Sequence, residues 1–191
     1  MTTITVVKKN GYVAIASDTM TKWGSAKESA EHVVNHHKIL RVQDSYLAIS
    51  GQSSADMILK HYFANIEGQP RFGNTEEIFQ TWQALHEALK SEYFLRPNDD
   101  DSDDFESSRM DVLIANSRGI FSVGAYREVQ EFSRFYSHGS GRRYALGAMY
   151  SIYGDSDKSA QEIAELGVRA GAEFDDGSGL PVASFSVALA V

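Results

Sequence analysis

Residues 3–8 form a short run rich in β-branched side chains, Asn10-Gly11 follows as a tight-turn dipeptide, and the apolar run resumes over 12–16. This pattern predicts an opening β-hairpin. Residues 38–42, the polar turn Gln43-Asp44-Ser45 and residues 46–51 repeat it as a second hairpin. The period then changes. Residues 54–65 and 75–93 carry apolar positions at helical spacing, and Thr75 before Glu76 and Glu77 is a good helix start. Residues 97–108 hold six acidic side chains without periodicity, which predicts a solvated loop, and 111–115 with 120–123 predict a third hairpin. Gly139-Ser140-Gly141 opens a predicted helix to about Tyr153, residues 159–172 predict another, and 181–190 a closing strand. Paired helices between antiparallel strand groups predict an α+β chain, a four-layer αββα sandwich, rather than the alternating units of a parallel sheet.

Composition narrows the chemistry. The 191 residues suit a single domain spanning 1–191, and 42% hydrophobic with 23% charged residues is ordinary globular usage. The absence of cysteine removes disulfides, thiolate metal sites and a cysteine nucleophile, so any nucleophile is an oxygen or an amine. A net charge of −8 with no basic patch argues against nucleic acid as a partner. The start, Met1 to Lys9, lacks the features of a secretory signal, and no apolar stretch nears the roughly 20 residues needed to cross a bilayer. A cytoplasmic protein, not a membrane protein, is expected.

Thr2 becomes a candidate nucleophile if Met1 is removed. A threonine hydroxyl needs an adjacent base, and an N-terminal threonine carries one as its own α-amine. Thr2 alone is weak support, since many proteins have a small second residue. The wider set is more specific: residues 11–18, Lys38 after the strand-like approach, Ile49-Ser50-Gly51, and Gly139-Ser140-Gly141 before a helix. In that order, over nearly the whole chain, these features resemble the proteasome β-subunit and HslV family of N-terminal nucleophile hydrolases. The resemblance is greatest to the bacterial proteasome homologue of β-proteobacteria.

The resemblance implies roles residue by residue. Thr2 is the nucleophile, Lys38 the cation that tunes its amine and hydroxyl, and Asp18 the carboxylate that orients Lys38. Gly51 offers its backbone N–H to the developing oxyanion, and Ser140 hydrogen-bonds near the amine and helps shuttle a proton. Asp175 matches the late aspartate of the family, with Ser178 as companion, though Glu173 or Asp176 fits the same register. Thr21 and Ile49 match positions lining the pocket for the residue before the cleaved bond, which favours apolar side chains there. Read alone, Asp18 is a turn former, Lys38 a solvated lysine, Gly51 a turn glycine and Ser140 a helix N-cap. This chain departs from the family in a segment between Asp18 and Lys38 about four residues longer than usual, and in Gln52 where a further glycine is common.

Other features lose on inspection. His32 and His36 have an i,i+4 spacing, but no HExxH pattern accompanies them. The acidic run 99–104 puts Asp104 where a calcium loop needs glycine and Met110 where it needs glutamate. Gly139-Ser140-Gly141-Arg142-Arg143 lacks the lysine and serine of a phosphate loop. Neither metal nor cofactor is expected. The leading reading is a threonine-type endopeptidase that forms an ester at Thr2; the competing ones are an idle proteasome-like scaffold and an amidohydrolase of small non-peptide amides. The family also implies a homo-oligomeric double ring acting on unfolded polypeptide, with fourteen copies favoured over twelve, to which an ATP-dependent unfoldase could dock.

Overall fold

The computed structural model describes residues 2–97 and 104–190. Met1, most of the acidic run (98–103) and Val191 lie outside them. The chain opens with β1 (Thr3–Lys9) and β2 (Tyr12–Asp18), joined by Asn10 and Gly11 at φ 51° and 77°. Two successive positive-φ residues make the turn that matches strand twist, and asparagine and glycine adopt it most readily. β5 (Ile39–Val42) and β6 (Ser45–Gly51) form the second expected hairpin, and β7 (Met110–Asn116) with β8 (Gly119–Val123) the third. Two short strands between the first hairpins, β3 (Thr21–Trp23) and β4 (Ala26–Glu28), were not predicted. Nor were β9 (Val129–Phe132) and β10 (Phe135–Gly139).

Strands β10-β1-β2-β11 make a four-stranded antiparallel sheet, with β11 spanning Val182–Ala188, and β5-β6-β7-β8-β9 make a five-stranded one. Helices α1 (Ser54–Asn65) and α2 (Thr75–Ser91) cover the larger sheet, where Leu59, Ile78, Trp82 and Leu85 pack on Leu47, Val112 and Phe121. Helices α3 (Arg142–Ile152) and α4 (Ala160–Phe174) cover the smaller sheet through Met149, Ile163 and Val168. The order is helices, sheet, sheet, helices: the αββα sandwich expected. The helix predicted to open at Gly139 starts at Arg142, because Gly139 still pairs with Thr3 in β10. α2 stops at Ser91, two residues short of the predicted end. At the other end Asn74 accepts from Glu77 N–H, and Ser159 caps α4 with Glu162 as a reciprocal pair.

The period of two along β1 decides where chemistry can occur. Ile4 and Val6 face the second sheet, while Thr5 and Val7 face α3 and α4. Thr5 donates to the Ala164 carbonyl at 2.9 Å, and the glycines at 167 and 171 of α4 leave room for Thr5 and Thr3. By the same alternation Thr2 lies on the inter-sheet side.

Candidate active site

Thr2 precedes an inner strand, so its main chain is held from both sides: Thr3 pairs with Gly139 of β10, and Ile4 with Ser17 of β2. Gly139 has φ +95°, and a Cβ there would sit 2.0 Å from the Thr2 carbonyl oxygen. Only glycine lets the two chains approach this closely. The nitrogen of Thr2 donates to Ser140 Oγ at 3.2 Å, and Ser140 Oγ donates to Asp175 Oδ2 at 2.7 Å. Ser178 Oγ donates to the same carboxylate oxygen, also at 2.7 Å, and lies 2.7 Å from Thr3 Oγ1. A hydroxyl has one proton to give, so committing it to Asp175 leaves the Ser140 lone pair for the Thr2 nitrogen. Gly141, not Ser140, caps α3, which frees the Ser140 hydroxyl for this contact.

The Thr2 hydroxyl meets a different pair of residues. Lys38 Nζ donates to Thr2 Oγ1 at 2.6 Å and to Asp18 Oδ1 at 2.8 Å. Lys38 stands just before β5 on the facing sheet, where its carbonyl accepts from Ile49 N–H at 3.1 Å. Asp18, fully buried, also accepts backbone N–H groups from Thr3 (3.0 Å), Met20 (3.2 Å) and Gly179 (3.1 Å). Four donors on one carboxylate explain how a buried charge is tolerated there. Burial pushes the Lys38 ammonium below its ordinary pKa, while the Asp18 charge and hydrogen bond, and more weakly the Asp175 charge, pull the other way. The balance leaves a lysine easier to deprotonate than usual, touching the hydroxyl of Thr2.

Thr2 and Lys38 open onto a cleft of about 630 Å³ also lined by Thr21, Ile49, Gly51, Met20, Val33 and Met57. The three cleft residues expected from the sequence therefore lie together with Thr2. Gly51 owes its identity partly to packing: a Cβ there would lie 3.0 Å from the Arg109 carbonyl oxygen and 3.1 Å from Met110 Cβ. His36 and His37, from the segment between Asp18 and Lys38, also line the cleft. Of the acidic residues that end α4, Asp175 meets Ser140 and Ser178, whereas Asp176 pairs with Lys22. Thr3 is the residue that sequence reasoning missed. Its N–H binds Asp18 and its hydroxyl Ser178, joining the two halves of the site. Close approach through Gly141 and Gly171, where added Cβ atoms would lie 2.0 and 2.3 Å from Thr3 Oγ1, carries this role. Among the described residues no three His, Asp or Glu side chains gather as metal ligands, and no helix is long and apolar enough to cross a membrane.

Solved structures place this arrangement in a family. A Thiobacillus denitrificans bacterial proteasome homologue (BPH), solved in complex with epoxomicin, is 54% identical, with 99% of this chain and 100% of that chain aligned at a TM-score of 0.94. The chain belongs to the proteasome and HslV-like family. A second Thiobacillus denitrificans BPH structure is 55% identical over 98% of each chain, again at a TM-score of 0.94. Eukaryotic HslV from Trypanosoma brucei shares the fold at a TM-score of 0.70, with 17% identity over 97% of this chain and 99% of that one. No family model and no curated protein matches the sequence. The proteasome and HslV-type fold is that of N-terminal nucleophile hydrolases.

Proposed function

We propose that this chain is a threonine-type endopeptidase subunit, one peptidase domain in which Thr2, exposed by removal of Met1, attacks peptide bonds. The observation that carries the reading is the contact series Thr2 Oγ1, Lys38 Nζ, Asp18 Oδ1, at 2.6 and 2.8 Å. In the proposed reaction the Thr2 hydroxyl attacks the substrate carbonyl and Lys38, in its neutral form, takes the hydroxyl proton. This assigns Lys38 a more direct part than the field effect expected from sequence, because Nζ touches Oγ1. Gly51 lines the cleft, and in this reading its backbone N–H stabilises the oxyanion. Collapse breaks the C–N bond, the proton passes to the leaving amine, and an ester of Thr2 remains. Water then adds to the ester and restores the hydroxyl. The freed α-amine, beside Ser140 whose hydroxyl Asp175 orients, serves this second step as proton carrier.

The substrate is extended, unfolded polypeptide. Among the described residues β3 has one hydrogen-bonded neighbour, β4, and all three of its residues line the cleft. An extended segment can therefore add beside it, as peptides add to open strand edges. Thr21, Ile49, Met20, Val33 and Met57 favour an apolar side chain before the cleaved bond. The similar Thiobacillus denitrificans chain was solved in complex with epoxomicin, which supports reading this chain as one that binds a ligand. Such a nucleophile calls for enclosure, and we place the chain in a cytoplasmic homo-oligomeric double ring, fourteen copies rather than twelve, fed by an ATP-dependent unfoldase. Hydrolysis of unstructured peptides by wild type, with none by Thr2→Ala of the same oligomeric size, is the expected result. Equal hydrolysis by Thr2→Ala would overturn the reading.

A further inference from the structure

Asp176 follows Asp175 directly, yet the two carboxylates serve different parts of the molecule. Asp175 receives the hydroxyls of Ser140 and Ser178, while Asp176 pairs with the ammonium of Lys22 in β3. Lys22 is largely withdrawn from water, its side chain 9% exposed, whereas Asp176 is 73% exposed. Lys27 lies opposite Lys22 in the β3–β4 register, and its charge also acts on Asp176. The hydrogen bond from Lys22, then its charge, hold the Asp176 carboxyl below the usual carboxylate range.

The location of Lys22 gives this pair its interest. β3 and β4 form a two-stranded sheet separate from both main sheets, three residues per strand. A two-stranded hairpin is marginal in water without further support. Trp23 Nε1 donates to Glu28 within the hairpin, which ties it to itself but not to the body. Among the described residues, Lys22 to Asp176 is the hydrogen bond or ion pair joining side chains of residues 21–28 to the rest of the chain. Thr21, Lys22, Trp23 and Glu28 of this hairpin form a wall of the cleft that holds Thr2.

We propose that Lys22 and Asp176 form a latch that holds the β3–β4 hairpin as the cleft wall and thereby sets where a bound peptide lies relative to Thr2. Both are positioning residues, and the proposal rests on the peptidase reading. The latch also connects the wall to the Thr2 nitrogen, because the backbone that carries Asp176 carries Asp175, the acceptor for Ser140. An ion pair with one solvated partner shifts a local equilibrium by about two- to five-fold. That is enough to matter for a hairpin with little else to hold it.

The test has two readouts, amide hydrogen exchange over residues 21–28 and steady-state hydrolysis of an unstructured peptide. They are applied to wild type, Lys22→Met, Asp176→Asn, the double variant and Lys22→Arg. Each neutral single variant is expected to speed exchange in 21–28 about two- to five-fold and to raise KM by a similar factor, with kcat nearly unchanged. The double variant should be no worse than either single, and Lys22→Arg should stay close to wild type. Unchanged exchange in the singles, or additive effects in the double, would overturn the latch. Faster exchange with an unchanged KM would overturn its positioning role. Should wild type hydrolyse no peptide, the peptidase reading and with it the positioning role fail, while exchange still decides whether the latch exists.

Discussion

Replacing Lys38 with methionine keeps most of the aliphatic stem and removes the ammonium that touches both Thr2 Oγ1 and Asp18 Oδ1. Two consequences separate cleanly in size. Loss of a positioned base costs about 10²- to 10⁴-fold in rate. The structural cost is smaller. Stripping the partner from a buried charge costs about 3–5 kcal/mol when nothing else compensates, but Asp18 keeps the N–H groups of Thr3, Met20 and Gly179. With those donors in place the loss is that of one charged hydrogen bond, about 1.5–3 kcal/mol. At about 2–4 °C per kcal/mol for a chain of this size, the melting midpoint should fall by roughly 3–12 °C, leaving the variant folded at 25 °C. Peptide hydrolysis at 25 °C and thermal unfolding of the same preparations provide the comparison. The pH profile adds a sign. Lys38 is depressed below its ordinary value by burial, so the neutral, proton-accepting form grows as pH rises through the folded pKa, and kcat/KM should rise with it from the acid side. Stability follows the same direction, because between the folded and unfolded pKa values the unfolded chain binds the proton more tightly. Lys38→Met should lack this alkaline limb. A variant turning over within about five-fold of wild type, or one whose lost rate is matched by outright unfolding, would refute the reasoning.

Gly139→Ala forces a Cβ to within 2.0 Å of the Thr2 carbonyl oxygen at a φ of +95°, so denaturant unfolding should show a loss of at least about 1–3 kcal/mol. Ser140→Ala should cut ester hydrolysis more than ester formation, seen in single-turnover kinetics as a burst followed by slow release; equal slowing of both phases would remove Ser140 from the second step. His86, buried on α2 between Ser108 Oγ and Glu106 Oε2, has its pKa lowered chiefly by burial. Its contribution is therefore present above the unfolded value near 6.5 and lost as pH falls through the folded one. His86→Gln should flatten that part of the stability profile measured by thermal unfolding between about pH 7 and 5.

What could be read from sequence was what local chemistry encodes. Asn10-Gly11 announces its turn because few other residues take two positive φ angles, and α2 shows its buried face through Ile78, Trp82, Leu85 and Leu89. β3 and β4 escaped because three-residue strands, half-buried or exposed, carry no period to detect. β9 escaped for a similar reason, its two central residues Gln130 and Glu131 being exposed. For the site, ordered resemblance brought Thr2, Asp18, Lys38 and Ser140 into view, since each sits at the end of a recognisable element. Thr3 gave no such sign. Its part depends on glycines 141 and 171, far along the chain, and on a hydroxyl at Ser178. Asp175 and Asp176 were likewise indistinguishable as letters; the exit of α4 turns one carboxylate toward Ser140 and the other toward Lys22.

The central claim is that Thr2, bearing a free amine, is the nucleophile. Mass mapping after reaction with an electrophile directed at N-terminal threonine tests it most directly. The account predicts an intact mass lacking Met1, one adduct per chain located on Thr2, and no adduct on Thr2→Ala or, at matched times, on Lys38→Met. Peptide hydrolysis by a chain that retains Met1, or an adduct on any residue other than Thr2, would contradict it.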